Sequence, residues 1–304
     1  MMRFRARHKQ ATGNDIINRS PDYRDWTGQY VRSDRARFSD HLFRVFESQF
    51  CPRSMVMLGA VLGFVFCERY GLPVIVGYPL AILCCGLAGI LVEFFLVRPF
   101  AVRNSEAWLM ATVAGGILLD NAVLFTFGNE PRTLPSALVG ESWNIFGTGV
   151  YPQQILIPIA AIAVALALHA LFRHTRQGRA LLAVVQNLQA AKLMGINTTV
   201  MVTGSFAISS MLAGCAGLLI APLFSVHSDM GTLFGLKAFA VAILGGMTSA
   251  YSVMLAGFIY GLVEAGVTTY LGSSYTFIVV FALVIAVLTI KPSGLFGRAA
   301  IKKV

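Results

Sequence analysis

The chain has 304 residues, 56% of them hydrophobic and only 12% charged, where a soluble domain carries about 25% charged residues. With a mean hydropathy of +0.70, an ordinary water-soluble globule is excluded. The formal charge of +10 does not indicate a nucleic-acid binder. Of the 24 Lys and Arg, 11 lie in residues 1–53 beside 6 of the 14 acids, and the others sit mainly at the ends of apolar segments, where membrane topology places them.

In chain order, residues 1–53 form a basic, polar tail with no sustained apolar period, expected to be disordered or surface-lying. No apolar core follows the first basic residues, so a secretory signal is not expected here. Phe38–Phe50 alone has an amphipathic spacing suited to a membrane surface. The apolar segments occupy residues 54–298. Met55–Cys67 is short and predicts a partial crossing, because a full one needs about 20 residues. Leu72–Val97, Ala107–Phe127, Gln153–Phe172 and Thr198–Pro222 are long enough to span. Leu236–Gly246 is short again and ends in Gly245-Gly246-Met247-Thr248-Ser249; Tyr251–Val267 and Tyr275–Ile290 follow, and 299–304 is a basic tail. The expected fold is therefore all-α, a polytopic membrane bundle of about eight segments including short or broken helices.

Loop charge gives the orientation. Arg98 and Arg103 mark one inner loop, Arg173, Arg176, Arg179 and Lys192 a second, and Lys291, Arg298, Lys302 and Lys303 an inner C-terminus. The 128–152 and 223–233 loops are poor in cations and are expected outside. Between Thr175 and Ile196 there is no Asp or Glu, and Leu181, Val184, Val185 and Leu188 recur at helical spacing, which predicts an amphipathic rod lying at the inner face.

Chemistry-bearing constellations are lacking. Cys51, Cys67, Cys84, Cys85 and Cys215 have no metal-ligand spacing and read as small apolar residues. No phosphate loop, Ser/His/Asp set or metal cluster is present, so neither an enzyme nor a cofactor is expected. Asp120 stands mid-span, where a charge costs about 2.5–3.5 kcal/mol on insertion scales. It is read as facing the bundle interior, paired with Asn121 or a backbone group. Glu264 is similar; Lys237 either snorkels outward or pairs with one of these carboxylates. Glu93 and Arg98 are read as an ion pair at a helix end. Irregular backbone at membrane depth survives only when buried by protein or lining a wet cavity. Gly245 and Gly246 therefore join Asp120, Asn121, Lys237 and Glu264 as candidates beside a pathway. Gly204, Ser205, Ser209, Ser210, Ala213, Gly214 and Gly217 are read chiefly as a helix-packing face.

From Ser54 onward several ordered motifs resemble one family. They are Ser54-Met55-Val56-Met57-Leu58-Gly59-Ala60; Glu93 with Arg98-Pro99; Asn121 with Phe127-Gly128 and Pro135-Ser136; Thr175 to Arg179 with Ala190-Ala191-Lys192-Leu193-Met194-Gly195-Ile196; Gly214, Ala216 and Gly217; Gly235-Leu236-Lys237-Ala238-Phe239 with Leu244-Gly245-Gly246; Glu264-Ala265; and Pro292 to Gly297. Together they resemble the permease subunits of bacterial ABC importers for branched-chain amino acids. The resemblance implies a type II ABC importer-like bundle in the bacterial inner membrane, spanning it several times. It also implies a second permease subunit, identical or related, cytoplasmic ATP-binding subunits and a periplasmic or extracellular solute-binding protein. Energy would then arrive through Gly178, Arg179, Val184, Ala190, Ala191, Leu193, Met194 and Gly195, docked on an ATPase. The start departs from the family pattern: the usual first apolar helix and its Asn-Phe-Ala-His-Gly turn are replaced by polar sequence ending at Arg53. The alternatives are a permease for another small solute, such as urea, an amide or a sugar, and an inactive or regulatory membrane protein.

Overall fold

The computed structural model describes residues 50–101, 107–128, 130–134, 143–145, 148–246, 250–291 and 294–296. The chain divides into Met1–Val45, which lies outside the described residues, and Phe46–Val304, which holds everything that follows. Also outside are the rest of the polar tail to Gln49, Arg103, Pro135-Ser136, Met247–Ser249, Pro292-Ser293 and everything from Gly297 on, including the C-terminal lysines.

Helix α1 (Phe50–Phe64) runs straight into a π turn at Val65–Arg69. It is followed by α2 (Val74–Val92), a second π turn (Glu93–Val97), α3 (Arg98–Ala101) and α4 (Ala107–Phe127). A small hairpin, β1 (Trp143–Ile145) with β2 (Thr148–Val150), pairs Trp143 with Val150 and precedes α5 (Pro152–His174). Then come α6 (Arg176–Gln186), α7 (Leu188–Leu193), α8 (Thr198–Ile220), α9 (Met230–Gly245), α10 (Ala250–Tyr270) and α11 (Thr276–Ile290). Among the described residues six helices are long and apolar enough to cross a membrane: α2 with its π turn, α4, α5, α8, α10 and α11. With α1 and the shorter α9 they account for the eight expected segments.

Helix α1 is longer than the apolar run that predicted it, and it is not peripheral. With its π turn it reaches about 30 Å at 1.5 Å per residue. Ser54, Met55, Met57 and Ala60 are buried, and α2, α4, α8 and α9 all pack on it. Close approach is made possible by glycine. A Cβ on Gly59 would strike the backbone of Gly214, and one on Gly217 the carbonyl of Val56. Small residues let membrane helices meet backbone to backbone, where van der Waals contact replaces the hydrophobic drive. The same helix α8 lies antiparallel to α2, with Gly89 against Ser210 and Gly86 against Met211. The packing reading of Ser210, Gly214 and Gly217 therefore holds; Gly204 instead faces open space. Helix α5 is the least enclosed span, 6% buried against 39% for α2, so its flank is a lipid or partner surface.

Most of the loop cations gather at one end. Leu295 donates its N–H to the carbonyl of Leu244 at 2.8 Å, and the rings of His169 and Tyr251 lie 4.9 Å apart. These contacts bring together the ends of α5, α9 and α11 and the start of α10. Helices α6 and α7, which follow α5, are thus at the end that carries Lys291. The end of α2 is there too, tied to the start of α8 through Glu93 and Thr203. At the opposite end, Arg132 and Val226 exchange backbone hydrogen bonds of 3.0 and 2.7 Å. The 223–233 stretch is not a free outer loop: Val226 is buried in a core cluster with Met57, Val123 and Phe127, and Met230 already begins α9.

Candidate coupling face and interior polar residues

The predicted rod is two helices rather than one. Asn187 (φ −156°, ψ 101°) interrupts the helical path and caps α7, its Oδ1 accepting from the N–H groups of Gln189 and Ala190 at 3.1 and 3.0 Å. An Asx side chain competes for local backbone donors, which is why it ends one helix and starts the next. Helix α6 is started by Thr175, whose Oγ1 accepts from Gly178 N–H at 2.9 Å and donates to Leu171 O at 2.6 Å. Gly178 is buried against the last turn of α5, where a Cβ would meet Leu171 and Phe172 backbone. Val184 and Ala191 are the inward faces of α6 and α7, at 6% and 3% exposure.

Helix α7 ends in a Schellman closure: Ile196 N–H reaches Ala191 O at 3.1 Å, with Gly195 at φ +79°. A glycine takes that left-handed conformation at no steric cost. The closure leaves Leu193 89% and Met194 81% exposed, beside exposed Ala190 and Arg179. Asn197 then caps α8 through Val200 N–H at 3.3 Å. Three side-chain caps within 23 residues, at Thr175, Asn187 and Asn197, make a defined elbow that presents an apolar tip.

Inside the bundle, Lys237 on α9 and Glu264 on α10 form an ion pair of 2.5 Å, each side chain about a quarter exposed, with the Lys237 ammonium also 5.6 Å from the Phe277 ring centre. This selects one of the two roles expected for Lys237. Asp120 pairs neither with Asn121 nor with backbone but with Arg53, at 3.0 Å; Asn121 donates to Ile117 O of its own helix. The sequence reading left Arg53 in the tail. The signal that could have found it is the demand of an intramembrane aspartate for a cation, met by the Arg directly before an apolar run. The two ion pairs share no partner. Gly245 is packed against Val253, and Gly246 (φ +79°) meets Gly294 (φ +80°); both glycines close a helix end.

The expected Glu93–Arg98 pair does not form. A π turn separates the two residues; Glu93 is 3% exposed and accepts from Thr203 Oγ1 at 2.9 Å. Arg98 lies over the Phe94 ring instead, 5.4 Å from its centre.

Comparison with known proteins agrees with this architecture. Residues 48–288 match the family described as branched-chain amino acid transport system / permease component. The chain is 35% identical over 256 residues to the high-affinity branched-chain amino acid transport system permease protein LivH of Salmonella typhimurium, covering 82% of each chain. It is 34% identical to LivH of Escherichia coli over 83% of this chain and 81% of that one. To BraD of Pseudomonas aeruginosa, a permease protein of the same description, it is 30% identical over 84% and 87%. No solved structure matches. By profile, by identity over most of its length and by its helical membrane architecture, the chain belongs to the permease component family of branched-chain amino acid transport systems.

Proposed function

We propose that this protein is the membrane-crossing subunit of an ATP-driven importer of branched-chain or related apolar amino acids in a bacterial inner membrane. A second permease, two cytoplasmic ATPase subunits and an external solute-binding protein complete the assembly. The observation that carries the reading is the capped elbow of α6 and α7. It stands at the cation-rich end and holds Leu193 and Met194 out of the bundle. Two adjacent exposed apolar side chains on a rigid elbow offer a surface that a partner can cover, and a chain without a nucleotide-binding loop would take the energy of ATP through such a contact. Gly178, Arg179, Val184, Ala190, Ala191 and Gly195 build and position the tip. ATPase closure would push it, and the packed helices would exchange between two arrangements.

Asp120, Asn121, Lys237, Glu264, Gly245 and Gly246 are proposed to stand along or beside the solute path, with the polar groups already paired so that an apolar side chain can pass without binding tightly. Uptake of labelled leucine, with a panel of valine, urea and ribose as competitors, tests the assignment in cells carrying and lacking the gene. Leucine uptake that depends on the gene and is inhibited by valine supports it. Gene-independent uptake, or inhibition by ribose alone, rejects it.

A further inference from the structure

Between α2 and the start of α8 lies an open groove of about 540 Å³. Its lining changes character along the helix axis. At the cation-rich end stand Arg98, Asn197 and Thr199; further in, the walls are Ile90, Gly204 and Ala207. From Arg98 to Ile90 is about 12 Å at 1.5 Å per residue. Arg98 has no acidic partner among the described residues, since Glu93, its expected one, is turned to Thr203. Asn197 uses its Oδ1 to cap α8, which leaves its N–H2 to donate. Gly204 has nothing within 4 Å of where a Cβ would stand, so the groove is open at its apolar part.

We propose that this groove binds an anionic phospholipid, its phosphate on Arg98, Asn197 and Thr199 and the first part of an acyl chain along Ile90, Gly204 and Ala207. The grading decides for a lipid over a protein partner. A lipid is polar at the membrane surface and apolar below it, along the same direction as the lining. A guanidinium offers a planar fork that matches phosphate oxygens, and basic pockets between helices at the cytoplasmic side suit such headgroups. The first amide groups of α8 add a favourable field there. The inference rests on membrane embedding and not on which solute is carried.

The test uses the full transporter, purified in mild detergent and washed with mixed micelles of that detergent and phosphatidylcholine containing one-tenth phosphatidylglycerol. Bound phospholipid is then measured by native mass spectrometry. Retention of phosphatidylglycerol by the native protein is expected. Arg98→Gln and Gly204→Leu, the second filling the groove without altering charge, should each lower retention about tenfold. Arg173→Gln, which removes a cation from the same end but outside the groove, should not. Soluble glycerophosphate should not compete, because it lacks the chain. Equal losses in Arg98→Gln and Arg173→Gln with none in Gly204→Leu would reduce the effect to general charge attraction and overturn the proposal. Unchanged retention in Arg98→Gln and Gly204→Leu, full competition by glycerophosphate, or loss of the second permease in place of lipid would each overturn the proposal. Lipid retention in detergent requires no transport, so these outcomes are independent of the uptake result.

Discussion

The guanidinium of Arg53 donates to the carboxylate of Asp120 at 3.0 Å, joining α1 to α4 across 67 positions of sequence. Next to it, Ser54 Oγ donates to Gly116 O at 3.2 Å. Gly231 and Gly235 of α9 pack on Arg53, so one arginine holds three helices about two turns inside the end of α4. Asp120→Leu leaves that cation without its partner and is expected to destabilise the purified protein by about 1–2 kcal/mol. The double change Arg53→Met with Asp120→Leu should recover most of this, because paired charges replaced together cost less than one left alone. Thermal unfolding of the two variants beside the native protein measures it. Equal melting of Asp120→Leu and the native protein would show that the pair contributes nothing.

Gly214 and Gly266 offer a matched contrast. Gly214 is packed on Cys85 and Gly59, whereas a Cβ at Gly266 meets open space. Gly214→Val should force α1, α2 and α8 apart and cost about 1–3 kcal/mol; Gly266→Val should cost far less. The ratio of folded to aggregated protein on size-exclusion chromatography reads the difference. Similar profiles for both would refute the packing role assigned to α8.

At the elbow, burial separates two kinds of variant. Ala191 is 3% exposed and Met194 81%. A charge at Ala191 should disturb the docking of α7 itself, lowering the amount of folded protein. Met194→Glu and Leu193→Glu should leave amount and melting unchanged but reduce uptake at least tenfold and lower co-purification of the ATPase subunits. Normal uptake in the double variant would remove the elbow from the coupling path.

The Lys237–Glu264 pair is tested by neutral replacement. Lys237→Met with Glu264→Leu keeps volume and removes both charges. Melting within about 1 kcal/mol of native with uptake lost would assign the pair to the path. Uptake retained in full would make it a fastener between α9 and α10. Single Glu264→Gln, which strands the ammonium against Phe277, should be the more destabilising change.

Much of the bundle was legible because long apolar runs leave few alternatives. Thr198–Ile220 and Ala107–Phe127 appear where hydropathy put them. The cation-rich end was legible for the same reason: Arg98, Lys192 and Lys291 flank apolar segments. Arg53 was not, because Glu47-Ser48-Gln49 and Pro52 before it break the apolar run and leave it with the polar tail. The start of α9 was missed at Met230 since Gly231, Thr232 and Gly235 weaken the apolar signal of its first two turns. The break at Asn187 carried a local sign, an Asx residue ahead of Leu188, but the apolar spacing runs through it. Partners such as Thr203 for Glu93 lie 110 positions away and have no local trace.

Gly246 and Gly294, both left-handed, lie against each other, and Leu295 is clipped to Leu244. The ends of α9 and α11 are therefore buttoned together, with no side chain between them to yield. A displacement of one terminus would load the other directly, so these two helix ends are expected to move together. At the other end of α11 the packing is looser: a Cβ on Gly272 (φ +94°) would meet open space, and the turn is held by the Gly272 N–H to Val267 O bond of 3.1 Å.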